Sequence, residues 1–339
     1  MKLNERIDVL VWLSSYMLSS ETEWLAAKEK AFSANPWFIP QFIDLSVQHI
    51  ARSFLNKQQL GQIAVSYSIP EETLQPKRIG IVMAGNLPLV GFHDLLCTFL
   101  TGHFAFIKPS GKDDVLIRHL LDKAKSFNAS CAPYFSPAEM LKGCDAYIAT
   151  GSNNSSRYFD YYFGKYPNII RRNRTSVAIL TGKETGAELE RLSDDIHLYF
   201  GLGCRNVTKL YVPLGYDFVP LLGAFKKWSF FEHHHKYRNN YEHNLAMHIL
   251  NNRYYMTNGS SVLLVEEKAL FPPIAQLNYE YYESPLNDKA GIDLPAAANN
   301  EVQCVVGEGG LPFGQAQFPT LDSFADGIDT IAFLLNLSR

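Results

Sequence analysis

The chain has 339 residues, enough for one large domain or two of medium size with a sizeable buried core. Hydrophobic residues make up 47% and charged residues 19%, a composition that excludes a disordered chain. Lys+Arg 31 against Asp+Glu 34 gives a formal net charge of -3, so no global electrostatic attraction to nucleic acid or an anionic membrane is expected.

Cysteine usage and apolar segments indicate the compartment. The chain has 5 cysteines without a CxxC pair, which argues against a disulfide framework and a zinc site and indicates a reducing environment. The short apolar run at residues 9–13 follows acidic residues and is typical of an amphipathic helix, not a secretory signal. Residues 79–107 form the most apolar region, but Asn86, His93, Asp94 and His103 make it too polar for a membrane span. We therefore expect a cytoplasmic protein.

The first half of the chain predicts helices followed by alternating strands and helices. Helical spacing extends over residues 1 to about 60, and strands are predicted at 63–69 and 78–85, on either side of a turn. The following elements are a helix at 93–100, a strand at 103–109, a helix at 113–126, a strand at 146–151 and a helix after Asn153. This alternation predicts βαβ units, a mostly parallel sheet and a ligand site at the carboxyl ends of its strands.

The second half predicts another α/β unit. Its elements are strands at 176–182, 207–213, 261–267 and 302–308, a helix at 187–192, a histidine-rich helical region and a terminal helix from Ser323. We expect a helical segment and nucleotide-binding domain over 1–175, a catalytic domain over 176–315, and a C-terminal segment, 316–339, that returns to the first domain. No composition shift marks these boundaries.

Common nucleotide-binding and metal motifs are missing from the sequence. There is no GxGxxG in a first βαβ unit and no GxxxxGK[ST], because the sequence at 182–184 is GKE. The three histidines at 233–235 point in different directions on a helix, which favours a solvated face over a metal site. The basic cluster Arg171, Arg172 and Arg174 favours a solvated loop, with contact to a ligand phosphate as the alternative.

Cys204 is the cysteine with the best context for chemistry. It lies between Gly203 and the polar pair Arg205-Asn206, in a glycine-flanked loop that leads into a strand. Small neighbours leave a sulfur accessible, and a nearby cation or helix N-terminus would favour the nucleophilic thiolate. A buried apolar role is the alternative for Cys204 and the expectation for the other four cysteines.

Four segments in a common order resemble the aldehyde dehydrogenase superfamily. They are residues 78–92, 103–111, 148–158 and 200–206, with weaker similarity at 313–333. The resemblance is closer to the acyl-CoA reductase branch, the fatty-acyl reductases similar to the LuxC component of bacterial bioluminescence systems. It implies an α/β fold with a parallel Rossmann-type cofactor domain and a second α/β catalytic domain.

The resemblance also implies roles for particular residues. Cys204 matches the nucleophile that becomes acylated, and Asn86 matches the asparagine whose amide lies in the oxyanion hole. Lys108 and Ser110 match the strand end that holds the adenosine ribose. Gly151 and Ser152 match the turn beside the cofactor diphosphate.

Two departures from the family pattern refine the expected reaction. Ile179 stands where many members have the glutamate that activates water, so an acyl-enzyme would be protected from hydrolysis. Gly111 replaces the glutamate that binds both ribose hydroxyls in members that prefer NAD, which favours NADPH because no carboxylate would repel a 2′-phosphate. The chain is also shorter than typical members and lacks an obvious final Pro-Phe-Gly-Gly segment.

The implied function is NADPH-dependent reduction of a fatty acyl thioester, on CoA or on a carrier protein, to an aldehyde through an S-acyl Cys204. An acyltransferase or thioesterase that uses the same cysteine, and a catalytically silent binding subunit, are the alternatives. The family default is a homodimer, and a monomer or a place in a larger reductase complex stays open. His93 is a candidate proton donor, with a structural role as the alternative.

Overall fold

The computed structural model describes residues 1–282 and 301–338. The chain divides into two compact units, a first unit of Met1–Asn173 with Thr320–Arg339 and a second unit of Arg174–Pro319. The sequence-based boundaries lie at 175/176 and 315/316. The functions that the sequence analysis gave to the three parts stay predictions. Residues 283–300 of the predicted catalytic domain lie outside the described residues.

The first unit begins with helices that bury one face each. Their bounds are α1 (Leu3–Met17), α2 (Thr22–Ala34), α3 (Pro40–His49) and α4 (Lys57–Ser66), with a π-helical turn at Ile50–Phe54 after α3. In α1 the side chains of Ile7, Leu10 and Leu13 are buried at helical spacing. The helical character of residues 1 to about 60 is thereby confirmed.

The strand predicted at 63–69 is wrong, because most of this segment belongs to α4. The carboxamide oxygen of Asn56 caps the helix by accepting from the backbone N–H groups of Gln58 and Gln59. Leu60 and Ala64 are buried four residues apart, which is the helical period. The apparent alternation of the sequence is therefore accidental.

A five-stranded sheet forms the centre of the first unit. Its strands are β1 (Arg78–Val82), β2 (Phe104–Lys108), β3 (Phe135–Pro137), β4 (Ala146–Thr150) and β5 (Asn168–Arg171), in the order β3-β2-β1-β4-β5. All of its pairings are parallel. The helices of this part are α5 (Phe92–Leu100), α6 (Val115–Phe127) and α7 (Asn153–Phe163). The strand order reverses at β1, which is where parallel sheets of this type bind ligands.

The last segment of the chain completes the core of the first unit. The sequence predicts a C-terminal helix from Ser323, but the helix begins later and spans Thr330–Asn336. Its N-cap is Asp329, whose carboxylate accepts from the N–H of Ala332. Ile331 and Leu334 are fully buried in the same hydrophobic cluster as β1 and β4. Residues 320–338 are therefore an integral part of the first unit.

The second unit contains a six-stranded sheet. Its strands are β6 (Thr175–Ile179), β7 (Val207–Pro213), β8 (Met256–Thr257), β9 (Leu263–Glu266), β10 (Gln276–Tyr282) and β11 (Val302–Gly307), in the order β11-β6-β7-β10-β9-β8. Only the β8 and β9 pair is antiparallel among the described strands. The α-helices described here are α8 (Gly186–His197), α9 (Val219–Ala224) and α10 (His235–Leu250). These two α/β units confirm the predicted fold class.

The sequence analysis missed β10, a central strand of this sheet. The strand alternates polar and tyrosine residues, and the polar Asn278 is almost fully buried. Its side-chain amide donates to the carbonyl of Ala269 at 2.8 Å, which satisfies the amide in the interior. A polar residue in a buried strand hides the apolar pattern by which such strands are recognised. No helix of the described residues has the length and apolar character that crossing a membrane requires.

Candidate active site

The predicted cofactor residues and the predicted oxyanion donor Asn86 lie at one edge of the first sheet. Asn86 follows β1, Lys108 ends β2 with Ser110 two residues later, and Gly151 and Ser152 follow β4. Because β1 is hydrogen-bonded to both β2 and β4 in parallel, these residues share the carboxyl edge of three adjacent strands. The side chains of Asn86, Lys108 and Ser152 are exposed. The structure thus brings five of the six predicted site residues to one sheet edge.

A close backbone approach joins the loops after β1 and β2. A Cβ atom on Gly85 would overlap the hydroxyl of Ser110, so only glycine allows the two loops to pack this closely. The Ser110 hydroxyl also accepts a hydrogen bond from the N–H of Lys112 at 3.3 Å. Gly85 therefore determines where Asn86 and Ser110 lie relative to each other.

The loop after β4 ends in a helix N-terminus. Ser152 is the N-cap of α7, and its hydroxyl accepts from the N–H of Ser155 at 3.3 Å. A Cβ on Gly151 would lie 2.8 Å from the ring of Phe159, so the position needs a residue without a side chain. A helix N-terminus carries partial positive charge and unpaired N–H groups that suit a diphosphate. These residues fit the nucleotide that the resemblance implies.

Asp113 holds the loop that carries Asn86. This carboxyl is buried, and one oxygen accepts from the N–H of Leu89 at 2.7 Å, at a residue with the left-handed φ of 58°. Burial raises the pKa of Asp113 well above its usual value. The hydroxyl of Ser46 supports the same loop by donating to the carbonyl of Pro88 at 2.7 Å. The sequence offers no signal for Asp113, because its partner is 24 residues away.

In the second unit, Cys204 lies in a tight turn between α8 and β7. The backbone N–H of Asn206 donates to the carbonyl of Gly203 at 3.1 Å, so that Cys204 and Arg205 occupy the centre of the turn. Cys204 is partly exposed, in contrast to the buried Cys97, Cys131 and Cys144. The residue is thus the more exposed of these cysteines, and the accessibility of its sulfur and its role as a nucleophile stay predictions.

Strained backbone precedes this turn. Tyr199, Phe200 and Gly201 have φ angles of 56°, 58° and 71°, a left-handed run that costs energy in the two aromatic residues. Phe200 is nonetheless buried against the rings of Phe231 and Tyr237. Packing thus maintains a conformation that the local sequence does not favour. Strain of this kind is concentrated at functional sites.

Ser176 connects the Cys204 turn to a second cysteine. Its hydroxyl donates to the carbonyl of Cys204 at 3.1 Å and lies 3.0 Å from the sulfur of Cys304. The pairing of β6 with both β7 and β11 is irregular at this position, and such bulges redirect side chains. Burial raises the pKa of Cys304, while its hydrogen bond with Ser176 and the charge of Arg205 oppose that rise.

The sequence analysis assigned Cys304 a buried apolar role, and the structure corrects this assignment. Cys304 is partly exposed and hydrogen-bonded beside the Cys204 turn. The sequence could not show this proximity, because Ser176 and Cys304 are 128 residues apart.

Ile179, which the resemblance matches to a glutamate position of many aldehyde dehydrogenases, lies in an apolar environment. Ile179 ends β6 and is 5% exposed in a cluster with Val177, Tyr211 and Val302. The carboxylate of Glu184, which follows β6, accepts from the N–H and the hydroxyl of Thr181 at 2.5 and 2.8 Å. Glu184 thus stabilises the loop that follows β6.

The basic cluster contains one residue that both sequence-based interpretations misplace. Arg171 is buried, forms an ion pair with Asp94 at 2.5 Å and donates to the hydroxyl of Thr330 at 2.9 Å. It therefore stabilises the C-terminal helix and lies neither in a solvated loop nor at a ligand. Arg172 is exposed and pairs with Asp160 at 3.1 Å, as expected for a solvated residue.

The histidines have structural contacts. His93 lies 2.8 Å from the carbonyl of Leu321 through its Nε2, consistent with the structural alternative. His234 caps α10, because its Nδ1 accepts from the N–H of Tyr237 at 3.2 Å. Among the described residues, no group of three or more histidine, cysteine or acidic side chains is placed to bind a metal ion.

No protein-family model matches the sequence, and no curated protein matches it. Solved structures do match. Aldehyde dehydrogenase 21 of Physcomitrella patens, in complex with the reaction product succinate, is 13% identical with a TM-score of 0.67, over 99% of this chain and 84% of that one. An aldehyde dehydrogenase of Mycobacterium tuberculosis complexed with NAD+ is 14% identical with a TM-score of 0.59, over 91% and 73%.

A third similar structure has an aldehyde bound. Aldehyde dehydrogenase C of Pseudomonas syringae, a mutant in complex with NAD+ and octanal, is 11% identical with a TM-score of 0.62, over 90% of this chain and 72% of that one. Identities this low show the fold and leave the activity open. The chain has the fold of the aldehyde dehydrogenases.

Proposed function

We propose that this protein reduces a fatty acyl thioester to an aldehyde with NADPH, through an S-acyl intermediate on Cys204, in the manner of the LuxC-like acyl-CoA reductases. The observation that carries the proposal is the combination of a partly exposed Cys204 in a constrained turn with a buried apolar Ile179 at the position of the hydrolytic glutamate. An acyl-enzyme without a base to activate water persists long enough to be reduced.

The cofactor is proposed from the carboxyl edge of the first sheet. Gly151 and the capped N-terminus of α7 fit a diphosphate, and Lys108 with Ser110 would face the adenosine ribose. A side chain at Gly111 would meet open space, so sterics do not explain the loss of a carboxylate there. This loss favours NADPH, although similar structures contain NAD+. Both cofactors therefore belong in the test.

Cys204 would carry the covalent chemistry. Its thiolate attacks the carbonyl carbon of the thioester, the bond from that carbon to the CoA or carrier sulfur breaks, and the leaving thiolate takes up a proton. A nicotinamide cofactor, when bound, would supply the hydride that reduces this carbon. The bond to the Cys204 sulfur then breaks, which releases the aldehyde and restores the thiolate. Asn86 as an oxyanion donor stays a prediction from the resemblance, to be tested by Asn86→Ala, for which a rate loss of about 10²–10³ is typical.

A long acyl chain is proposed as the substrate. Octanal bound to a protein of this fold supports an apolar chain, and the aromatic residues of this chain, 13% of the total, are compatible with one. CoA and a carrier protein are the two alternative thiols to which the acyl chain of the substrate is attached. Their products differ, because one releases free CoA and the other releases the carrier protein with its thiol free.

The test is NADPH oxidation by the purified protein with a long-chain acyl-CoA, repeated with NADH and with an acyl-carrier substrate. Cys204→Ala should abolish oxidation. Cys144→Ala, which removes a buried thiol of the first unit, should preserve it. Release of CoA with label retained on Cys204 and no cofactor oxidation would instead indicate an acyltransferase or thioesterase. Tight NADPH binding without acylation by any of these substrates would indicate a binding subunit.

A further inference from the structure

The side chain of Asn206 is the centre of the hydrogen bonding around the Cys204 turn. It is fully buried, and its carbonyl oxygen accepts from the N–H of Gly203 at 2.8 Å. Its amide nitrogen donates to the carbonyls of Asp195, Ile196 and Leu198 at 3.1, 3.3 and 2.9 Å. The two N–H bonds of the amide are shared among these three carbonyls while its oxygen accepts from the N–H of Gly203, a combination that an ionised carboxylate cannot make.

These bonds connect three parts of the second unit. Asp195 and Ile196 belong to the last turn of α8, whose final carbonyls have no partner within the helix. Gly203 opens the turn that contains Cys204, and the backbone carbonyl of Asn206 accepts from the N–H of Ser176 at the start of β6. The position of the Cys204 turn relative to α8 therefore depends on the Asn206 side chain, whereas the backbone carbonyl of Asn206 and the hydroxyl of Ser176 connect the turn to β6.

The strained residues before the turn make this dependence stronger. Tyr199 and Phe200 adopt left-handed φ angles that relax readily when nothing opposes them. The bonds from Asn206 to Leu198 and Gly203 bracket these residues on both sides. Without the amide, the segment from Leu198 to Gly203 keeps the aromatic packing of Phe200 and the backbone bond of the turn but loses the side-chain bonds that tie both of its ends to one group.

We infer that Asn206 is a positioning residue for the Cys204 nucleophile, which deepens the proposed function and rests on it. The amide does not touch the substrate. It fixes the direction from which the thiolate meets the carbonyl carbon. A misplacement of about 1 Å at a reacting atom lowers the rate by about 10²-fold, which sets the expected effect.

The test compares Asn206→Ala with Asn278→Ala. Asn278 is also buried in the second unit and also donates its amide to a carbonyl, but it lies on β10 outside the turn. Both changes should lower the melting temperature. Only Asn206→Ala should lower kcat, by about 10²-fold, with KM for NADPH unchanged. Only this variant should also change the rate at which iodoacetamide alkylates Cys204 between about pH 6 and pH 9, measured by peptide mass spectrometry.

Asn206→Asp gives a second signature and serves if the alanine variant does not fold. An ionised carboxylate would face three carbonyl oxygens, whereas a protonated carboxyl can donate to one of them. The defect should therefore shrink as pH falls, which is the reverse of a thiolate-dependent rate. Loss of activity no greater than in Asn278→Ala, with a wild-type alkylation profile, would overturn the inference. The alkylation comparison needs no reductase activity, so failure of the proposed function would be recognised separately.

Discussion

Two buried groups at the end of α8 should give opposite pH dependences to the stability of the second unit. Burial lowers the pKa of His197 from 6.5 to about 3, and its Nδ1 and Nε2 lie 2.8 Å from the carbonyl of Ser193 and 3.1 Å from the hydroxyl of Ser261. Burial raises the pKa of Asp195 from 3.8 to about 6, although the N–H groups of Gly314 and Ala316 oppose this rise.

The signs follow from proton uptake. A lowered folded-state pKa means that the unfolded chain binds more protons, so His197 contributes stability above pH 6.5 that is lost as pH falls toward about 3. A raised pKa means the reverse, so Asp195 contributes stability below pH 3.8 that is lost as pH rises through about 6. Between about pH 7.5 and pH 4.5, His197 lowers the free energy of unfolding by about 3 kcal/mol and Asp195 raises it by about 2 kcal/mol.

Removing either group should reveal the pH dependence of stability that the other group produces. The His197→Gln variant lacks the loss of stability that His197 causes on acidification. Only the contribution of Asp195 is left, so the unit gains stability relative to wild type as pH falls. After Asp195→Asn it loses stability. The change in the free energy of unfolding between these pH values should therefore differ between the two variants by about 5 kcal/mol. Other titrating groups are common to both variants and cancel.

The assay is urea unfolding at about pH 7.5 and pH 4.5, followed by hydrogen exchange of the peptide that covers α8, because a chain with two units need not unfold in one step. The same peptide in the wild type is the control. Equal pH dependence of the two variants, within about 1 kcal/mol, would refute the assignment of these two shifts to burial.

Three further predictions concern the first unit. Gly85→Ala should force apart the loops that meet at Ser110 and raise the Kd for NADPH about tenfold in a fluorescence titration. Arg171→Met should lower the free energy of unfolding by about 3–5 kcal/mol in urea, because Asp94 is then a buried unpaired charge. Asp113→Asn should raise the melting temperature near pH 8 and leave it unchanged near pH 4, since a raised pKa makes the ionised carboxyl destabilising.

Each of these changes has a matched control. Gly61→Ala adds a Cβ that meets nothing within 4 Å and should leave NADPH binding unchanged, so an equal effect at both glycines would contradict the steric argument. The pair of changes Arg171→Met and Asp94→Leu should recover part of the lost stability, and no recovery would contradict the charge argument. A melting temperature for Asp113→Asn that rises equally at both pH values would exclude ionisation as the cause.

The sequence predicted those parts of the fold that local patterns determine. The strands β1 and β4 are apolar runs bounded by turn residues, and Cys204 is flanked by a glycine that marks its turn. Contacts across long separations carry no local pattern. The bond between Ser176 and Cys304 spans 128 residues and the ion pair of Arg171 with Asp94 spans 77.

Local patterns were also misleading where packing decided the outcome. The segment at 63–69 alternates like a strand, yet the cap at Asn56 and the burial of Leu60 and Ala64 make it helical. The left-handed backbone at Phe200 could not be predicted either, because aromatic packing and not the residue type maintains it.

The return of residues 320–338 to the first unit affects how the protein is made. Leu321, Ile331 and Leu334 belong to the core of the first unit, although the whole second unit is synthesised before them. During translation the second unit can fold while the first unit still lacks part of its core. Until residues 320–338 are synthesised, the earlier segments of the first unit therefore expose the apolar surface that Leu321, Ile331 and Leu334 cover in the folded unit.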